Sequence, residues 1–332
     1  MDTPDPIVTW LLESEDPALR YQTLRNLTDT PPAELAQIRA RIPHEGLAAQ
    51  ILAAQGENGA WHRDDDTPDW LPTLFMFQLL RATAADPADP TIQSAVDHLE
   101  AGFRWADDLG SKPFSEGETE PCINGGALAA SSYFGRPSHT LAARLLAEQL
   151  PDGGWNCDAP QSQRSSYHST ICVLEGLLEF ELAAGPDSPL TTASAEARLR
   201  AHEYLLDRRL FRRLSTGQPA SPEFLQLAWP TRYHYDILRA LDYFRSTGLP
   251  PDPRTREAIQ LIESKRQPDG RWLLEACYDE SLSFPWPDPI GEPSRWITLR
   301  AQRVLRWSRI DPLRAVTISV HRPSDPTPNP AA

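Results

Sequence analysis

The chain has 332 residues, a formal net charge of −14 and a pI near 5.0. Such a balance argues against nucleic acid and against an anionic membrane surface as partners. No apolar run approaches the roughly 18 residues of a transmembrane segment, and the opening MDTPDPIVTWLLESE lacks the basic region of a signal peptide, so a cytoplasmic protein is expected.

Residues 7–15 read as a first short helix, and Asp16-Pro17 opens a second that carries Arg20-Tyr21-Gln22-Thr23-Leu24-Arg25. A matching hexapeptide, Arg295-Trp296-Ile297-Thr298-Leu299-Arg300, lies near the other end. With the Thr as register mark, similar apolar helix starts fall at Thr23, Thr73, Asn124, Thr170, His234 and Thr298. Between them lie segments with an apolar stripe at three- and four-residue spacing: 44–55, 91–104, 137–149, 193–209 and 253–267. The helix over 170–180 is apolar nearly all round (Ile171, Cys172, Val173, Leu174, Leu177, Leu178, Phe180) and needs cover on every side. Pro-rich loops at 109–121, 212–231 and 279–294 are long enough to act as lids.

One turn pattern recurs. Gln149, Gly153 and Trp155 form Q-x3-G-x-W, repeated at Gln55, Gly59 and Trp61 and contracted at Gln267, Gly270 and Trp272. The three tryptophans read as structural, packing an outer helix to an inner one. Repeated helix pairs, with matching first and last units, predict an all-α (α/α)6 toroid of six inner and six outer helices. Length alone would suggest two domains, but such a ring is one domain, spanning 1–315. The Pro-rich tail 316–332 is expected to be disordered.

The Q-x3-G-x-W repeat resembles that of the squalene and oxidosqualene cyclases and of the protein prenyltransferase β subunits. The resemblance covers about residues 16 to 308 and implies an α/α toroid with its chemistry in the central cavity, near one end of the inner helices. Two local matches follow from it. The cyclases protonate their substrate with Asp-x-Asp-Asp, and the nearest stretch here is Arg63-Asp64-Asp65-Asp66-Thr67, in which Arg63 replaces the first acid. A protonated acid needs a dry site, and Asp64, Asp65 and Asp66 equally suit a solvated turn before a helix amino terminus. The prenyltransferases bind zinc with Asp-x-Cys at the start of one inner helix and a His at the next. Here Glu120-Pro121-Cys122 and Tyr167-His168 stand in those places, with Glu for Asp.

Thiolate, imidazole and carboxylate are the usual zinc ligands, and three of them leave a fourth position open. Glu120 precedes a proline and is biased to extended backbone, so its side chain and that of Cys122 can converge. The expected site is therefore Zn2+, or another divalent ion, on Glu120, Cys122 and His168. Cys157 is an alternative ligand, and all four cysteines (Cys122, Cys157, Cys172, Cys277) are expected as reduced thiols. Where the prenyltransferases hold a diphosphate with basic residues, segment 114–120 is acidic with Lys112 the only base nearby. That opposes a prenyl diphosphate, and a partner subunit is not specified.

Tyr21, Trp70, Tyr167, Tyr233 and Trp296 stand at inner-helix starts and are expected to line the cavity, as aromatics suit an apolar ligand or a carbocation. Tyr233-His234-Tyr235-Asp236 offers a general base, His234, with Asp236 as its orienting acid. The expected function is a metal-dependent enzyme acting on a hydrophobic, isoprenoid-like small molecule. The alternatives are a metal-free terpene cyclase using an Asp of the 64–66 run, and a non-catalytic toroid that holds a lipid or peptide.

Overall fold

The computed structural model describes residues 5–107 and 110–310; the tail boundary at 315 and the tail itself lie outside them. The fold is all-α, with no strand among the described residues. In chain order the α-helices are α1 (Pro6–Leu12), α2 (Pro17–Leu27), α3 (Pro32–Arg39), α4 (Gly46–Ala53), α5 (Trp70–Ala82), α6 (Pro90–Gly102), α7 (Pro121–Tyr133), α8 (His139–Ala147), α9 (Tyr167–Ala184), α10 (Thr191–Asp207), α11 (Ile237–Ser246), α12 (Arg256–Ser264) and α13 (Arg295–Trp307). None is long and apolar enough to cross a membrane.

The helix starts follow from local chemistry. Asp5-Pro6, Asp16-Pro17 and Asp89-Pro90 each place a capping carboxylate before a proline at the first helical position, and each Asp accepts a backbone N–H of the first turn. Ser138, Ser166 and Ser294 cap α8, α9 and α13 in the same way. The register mark at His234 differs from the structure. Helix α11 opens three residues later, at Ile237, because Asp236 is the residue whose side chain accepts from the Arg239 N–H. Helix α3 has no buried residue, so it carries no core periodicity from which to read it.

The recurrent turn is a hydrogen-bonded clamp. Each indole N–H of Trp61, Trp155 and Trp272 donates, at 2.7 Å, to a carbonyl of the preceding amphipathic helix, from Ile51, Leu145 and Ile262. Each Trp backbone N–H donates to a threonine of the following helix: Thr73, Thr170 and Thr298. The glutamines Gln55 and Gln149 donate to the carbonyls of Gly59 and Gly153. Gly153 has φ +98, and a Cβ there would stand 2.6 Å from the Arg200 carbonyl oxygen, so the motif requires glycine. All three indoles are fully buried, where an unpaired N–H would be costly.

The first helices meet the last one described. Helix α2 packs on α13, and Arg303 Nη1 donates to Gln22 Oε1 at 3.0 Å. The Trp10 ring of α1 lies under the guanidiniums of both Arg271 and Arg295. Along the chain, α5 packs on α7, α7 on α9, and α11 on α13. The α7–α9 contact is the closest. A Cβ on Gly125 would meet the backbone of Cys172 at 2.5 Å, and one on Gly176 would meet the Gly125 carbonyl oxygen at 2.5 Å.

A buried histidine makes the fold sensitive to acid. His202 Nε2 lies 2.9 Å from the Tyr243 hydroxyl. Burial, then the nearby Arg198 charge, pushes its pKa down to about 3, against a small opposing pull from Glu203. The unfolded chain therefore takes up a proton near pH 6.5 that the folded protein refuses. This contribution is intact above about pH 6.5 and is lost as pH falls towards 3, amounting to about 2 kcal/mol at pH 5. Urea unfolding at pH 7 and pH 5 should show His202→Gln losing less stability on acidification than the parent. Equal losses would remove His202 as the cause.

Candidate metal centre and central cavity

Residues 117–124 form a rigid approach to α7. Gly117 has φ +70 and packs on Asn124. Asn124 Oδ1 accepts the Glu118 N–H at 2.8 Å, and its Nδ2 donates to the Glu118 carbonyl. The Glu118 carboxylate then accepts the Glu120 N–H and the Thr119 hydroxyl. Glu120 is held in extended backbone (φ −89, ψ 130) as the residue before the helix, and its Oε2 lies 3.6 Å from Cys122 Sγ. From the turn after Trp155, Cys157 brings its Sγ to 3.0 Å from Cys122 Sγ. Ser169, in the first turn of α9, fixes Cys157 by accepting its N–H and lying 3.2 Å from its sulfur.

The ligand atoms of Glu120, Cys122 and Cys157 thus lie within 4.8 Å of one another, and the group passes from exposed carboxylate to buried thiol. The sulfur–sulfur contact, then burial, pushes the Cys122 thiol well up; the same contact holds Cys157 below its ordinary range. Two soft sulfurs and one carboxylate oxygen are a donor set suited to zinc, with a position to spare.

His168 does not join this group. Its Nδ1 accepts the Tyr235 N–H at 2.9 Å, so the neutral ring carries its proton on Nε2 and offers no free lone pair. Burial, then the Arg239 charge, lowers its pKa and keeps it neutral. Of the expected Glu–Cys–His set, Glu120 and Cys122 come together, and it is Cys157 and not His168 that stands beside them. Cys157 was visible in the sequence, but its place in a loop concealed that the tight α7–α9 contact carries it to Cys122.

The remaining candidates separate. Asp64, Asp65 and Asp66 are exposed, and Arg63 grips Asp65 through paired hydrogen bonds that hold its carboxyl below the usual range. A general acid needs the opposite shift. His234 is stacked between Tyr233 and Tyr278, at centroid distances of 4.2 and 3.6 Å, with its pKa pushed down to about 3 by burial and then by His168. Asp236 caps α11 instead of orienting His234.

A cavity of about 240 Å³ receives residues from α2, α5, α7, α9, α11 and α13, among them Gln22, Phe75, Tyr133, Glu175, Asp242 and Trp296. The 212–231 and 279–294 loops add Trp229 and Leu282. Of the five aromatics expected to line it, Trp296 does so. Tyr21 sits under Arg39, Trp70 packs on Trp105, and Tyr233 packs on Phe75 and His168. Tyr167 donates to the Arg212 carbonyl within a cluster of Tyr204, Phe224 and Tyr235. The wall is charged where an apolar one was expected. Arg239, buried in α11, makes a two-pronged pair with Glu175 at 2.9 and 3.0 Å, and Asp242 receives Arg245, Arg300 and Arg303. The signal for this was present as Glu175 inside the apolar run of α9 and as the repeated arginines of α11 and α13. A search of protein families and of curated proteins finds no match to this chain.

Proposed function

We propose that the chain is an (α/α)6 toroid enzyme that holds a divalent, thiophilic metal ion, zinc in the first instance, on Glu120, Cys122 and Cys157. The toroid reading is supported by the packing of α2 on α13 and by a cavity that six helices share. In it α2, α5, α7, α9, α11 and α13 are the inner helices, and α1, α4, α6, α8, α10 and α12 the outer ones.

The observation that carries the metal is the convergence of three ligand atoms within 4.8 Å at the start of α7. Bound there, zinc would supply a Lewis acid and lower the pKa of a coordinated water or thiol. The protein's own part is to bring the two thiols together through the α7–α9 contact, to hold Cys157 with Ser169, and to keep Glu120 at the exposed edge. The small molecule acted on enters the toroid, whose charged wall narrows the expected isoprenoid-like substrate to one with a polar or ionised end.

Metal analysis tests this without an activity assay. The purified protein should carry or take up one equivalent of zinc. Cobalt substitution should give the intense near-ultraviolet absorption of sulfur-to-metal charge transfer. Cys122→Ser and Cys157→Ser should each lose metal with unchanged helicity, because no part of the core depends on the ion. His168→Ala should keep it. A protein that takes up no metal, or Cys157→Ser that binds as well as the parent, sinks the proposal.

A further inference from the structure

We infer that the central cavity is a binding site for a small organic anion, one that carries a carboxylate or phosphate beside a flat apolar group. This rests on the wall of the cavity and not on the metal centre. Arg81, Arg232 and Arg239 line it together with Arg245, Arg300 and Arg303, against the carboxylates Glu175, Glu179 and Asp242. Two further acids stand near: Glu280, exposed and paired to Arg232, and Asp236, buried within reach of the Arg300 and Arg239 charges. Counting both, guanidiniums remain in excess. That is the reverse of the chain as a whole, which carries a formal charge of −14.

Guanidiniums gathered away from water are costly without partners, and several donors here have none. Arg81 Nε, Arg232 Nε and the Trp229 indole N–H are buried with no hydrogen-bond partner. Their residues all line the cavity. The Arg232 side chain is 8% exposed and those of Arg239 and Arg300 are 4% and 5%, so surface water does not compensate them. Planar guanidinium forks match carboxylate and phosphate oxygens.

The apolar half of the site is equally defined. Trp229 and Trp296 stack at 5.3 Å and 20°, and Phe75 lies under the Arg232 guanidinium. At about 240 Å³ the cavity exceeds the ~150 Å³ that holds one benzene. It has room for a ring and its acidic substituent. Trp229 and Leu282 reach it from the two Pro-rich loops, so loop and helix residues close around the same ligand.

Phenyl phosphate, benzoate, inorganic phosphate and benzyl alcohol are suitable probes, titrated calorimetrically into the metal-free and metal-loaded full chain. Phenyl phosphate or benzoate should bind and raise the melting temperature in both forms. Binding should weaken with added salt, and benzyl alcohol should fail to bind. Arg232→Gln and Arg303→Gln should each weaken the bound probe by about tenfold or more, the loss expected for one charged hydrogen bond. Asp242 keeps Arg245 and Arg300 in the second variant, so one of the two remains informative if the other folds poorly. Arg254→Gln, at a residue that pairs with Glu203, Asp207 and Asp252 and does not line the cavity, should change nothing. Absence of binding by all three anions at millimolar concentration overturns the inference. So does equal binding of benzyl alcohol, or anion affinity that both cavity variants leave unchanged. Failure of the metal experiments would leave this result standing, and the converse also holds.

Discussion

Trp155→Ala should destabilise the protein by about 3–5 kcal/mol, as for other large-to-small changes in a core. The indole is fully buried, so its removal opens a cavity at the junction of α8 and α9. It also strips the Leu145 carbonyl of a 2.7 Å hydrogen bond, adding the cost of an unpaired buried acceptor. Trp155→Phe separates the two terms: the ring is partly replaced, the donor is not, and an intermediate loss is expected. Urea unfolding monitored by circular dichroism measures both. Because Trp155 also sets the turn that leads to Cys157, the Ala variant should lower metal affinity in the fraction that remains folded. Unchanged melting in Trp155→Ala would show that the turn is a surface feature and not a clamp.

That clamp is why so much of the fold was legible. Gln, Gly and Trp at fixed spacing are an uncommon combination, and each does a separate job. In the two full-length copies the amide reaches forward to the glycine carbonyl; in all three the glycine takes positive φ and the indole ties two helices. Helix starts were legible wherever Asp or Ser precedes the first turn, as at Asp16 and Ser166. At His234 the register slipped because the apolar pattern runs through a stretch in which the backbone first turns. Only the Asp236 cap decides where α11 begins.

The candidate site was legible in part. Spacing from Glu120 to Cys122 is local, and extended backbone before a proline was enough to bring their side chains together. The placement of Cys157 and the pairing of His168 depend on the α7–α9 contact and on a long-range hydrogen bond, which spacing does not encode. The Tyr235 N–H that occupies His168 comes from 67 residues away in the chain. The charged wall was missed for a different reason. The charges of α11 and α13 lie at helical spacing and read from sequence as a solvated face, whereas in the folded chain Arg239 finds Glu175 of α9, and Arg300 and Arg303 find Asp242 of α11.

Arg239→Met should cost about 3–5 kcal/mol, the range for breaking a buried ion pair by removing one partner. Arg239 ties α11 to α9 through Glu175. Besides its two hydrogen bonds to Glu175 it donates to the carbonyls of Arg232 and His234 at 2.9 and 2.8 Å, and its Nη2 lies 3.6 Å from Cys172 Sγ. Methionine fills much of the volume but leaves two carbonyls without these donors, and leaves Glu175 with Arg81, 3.3 Å away, as its hydrogen-bonded cation and Arg300 as a weaker influence. Opposite charge is what holds the Glu175 carboxyl ionised. Burial alone would push it up, and the Arg239 and Arg81 charges bring it below the usual range. The single variant should therefore recover part of its stability as pH falls and Glu175 takes up a proton. Glu175→Gln in the Arg239→Met background should recover it at neutral pH, so that the double variant falls short of the summed single losses by about 1–3 kcal/mol. Denaturation of the four proteins of this cycle at pH 7 gives the coupling directly. Additive losses would mean that Arg239 acts through its backbone carbonyl contacts alone, and that α9 and α11 are joined by packing and not by charge.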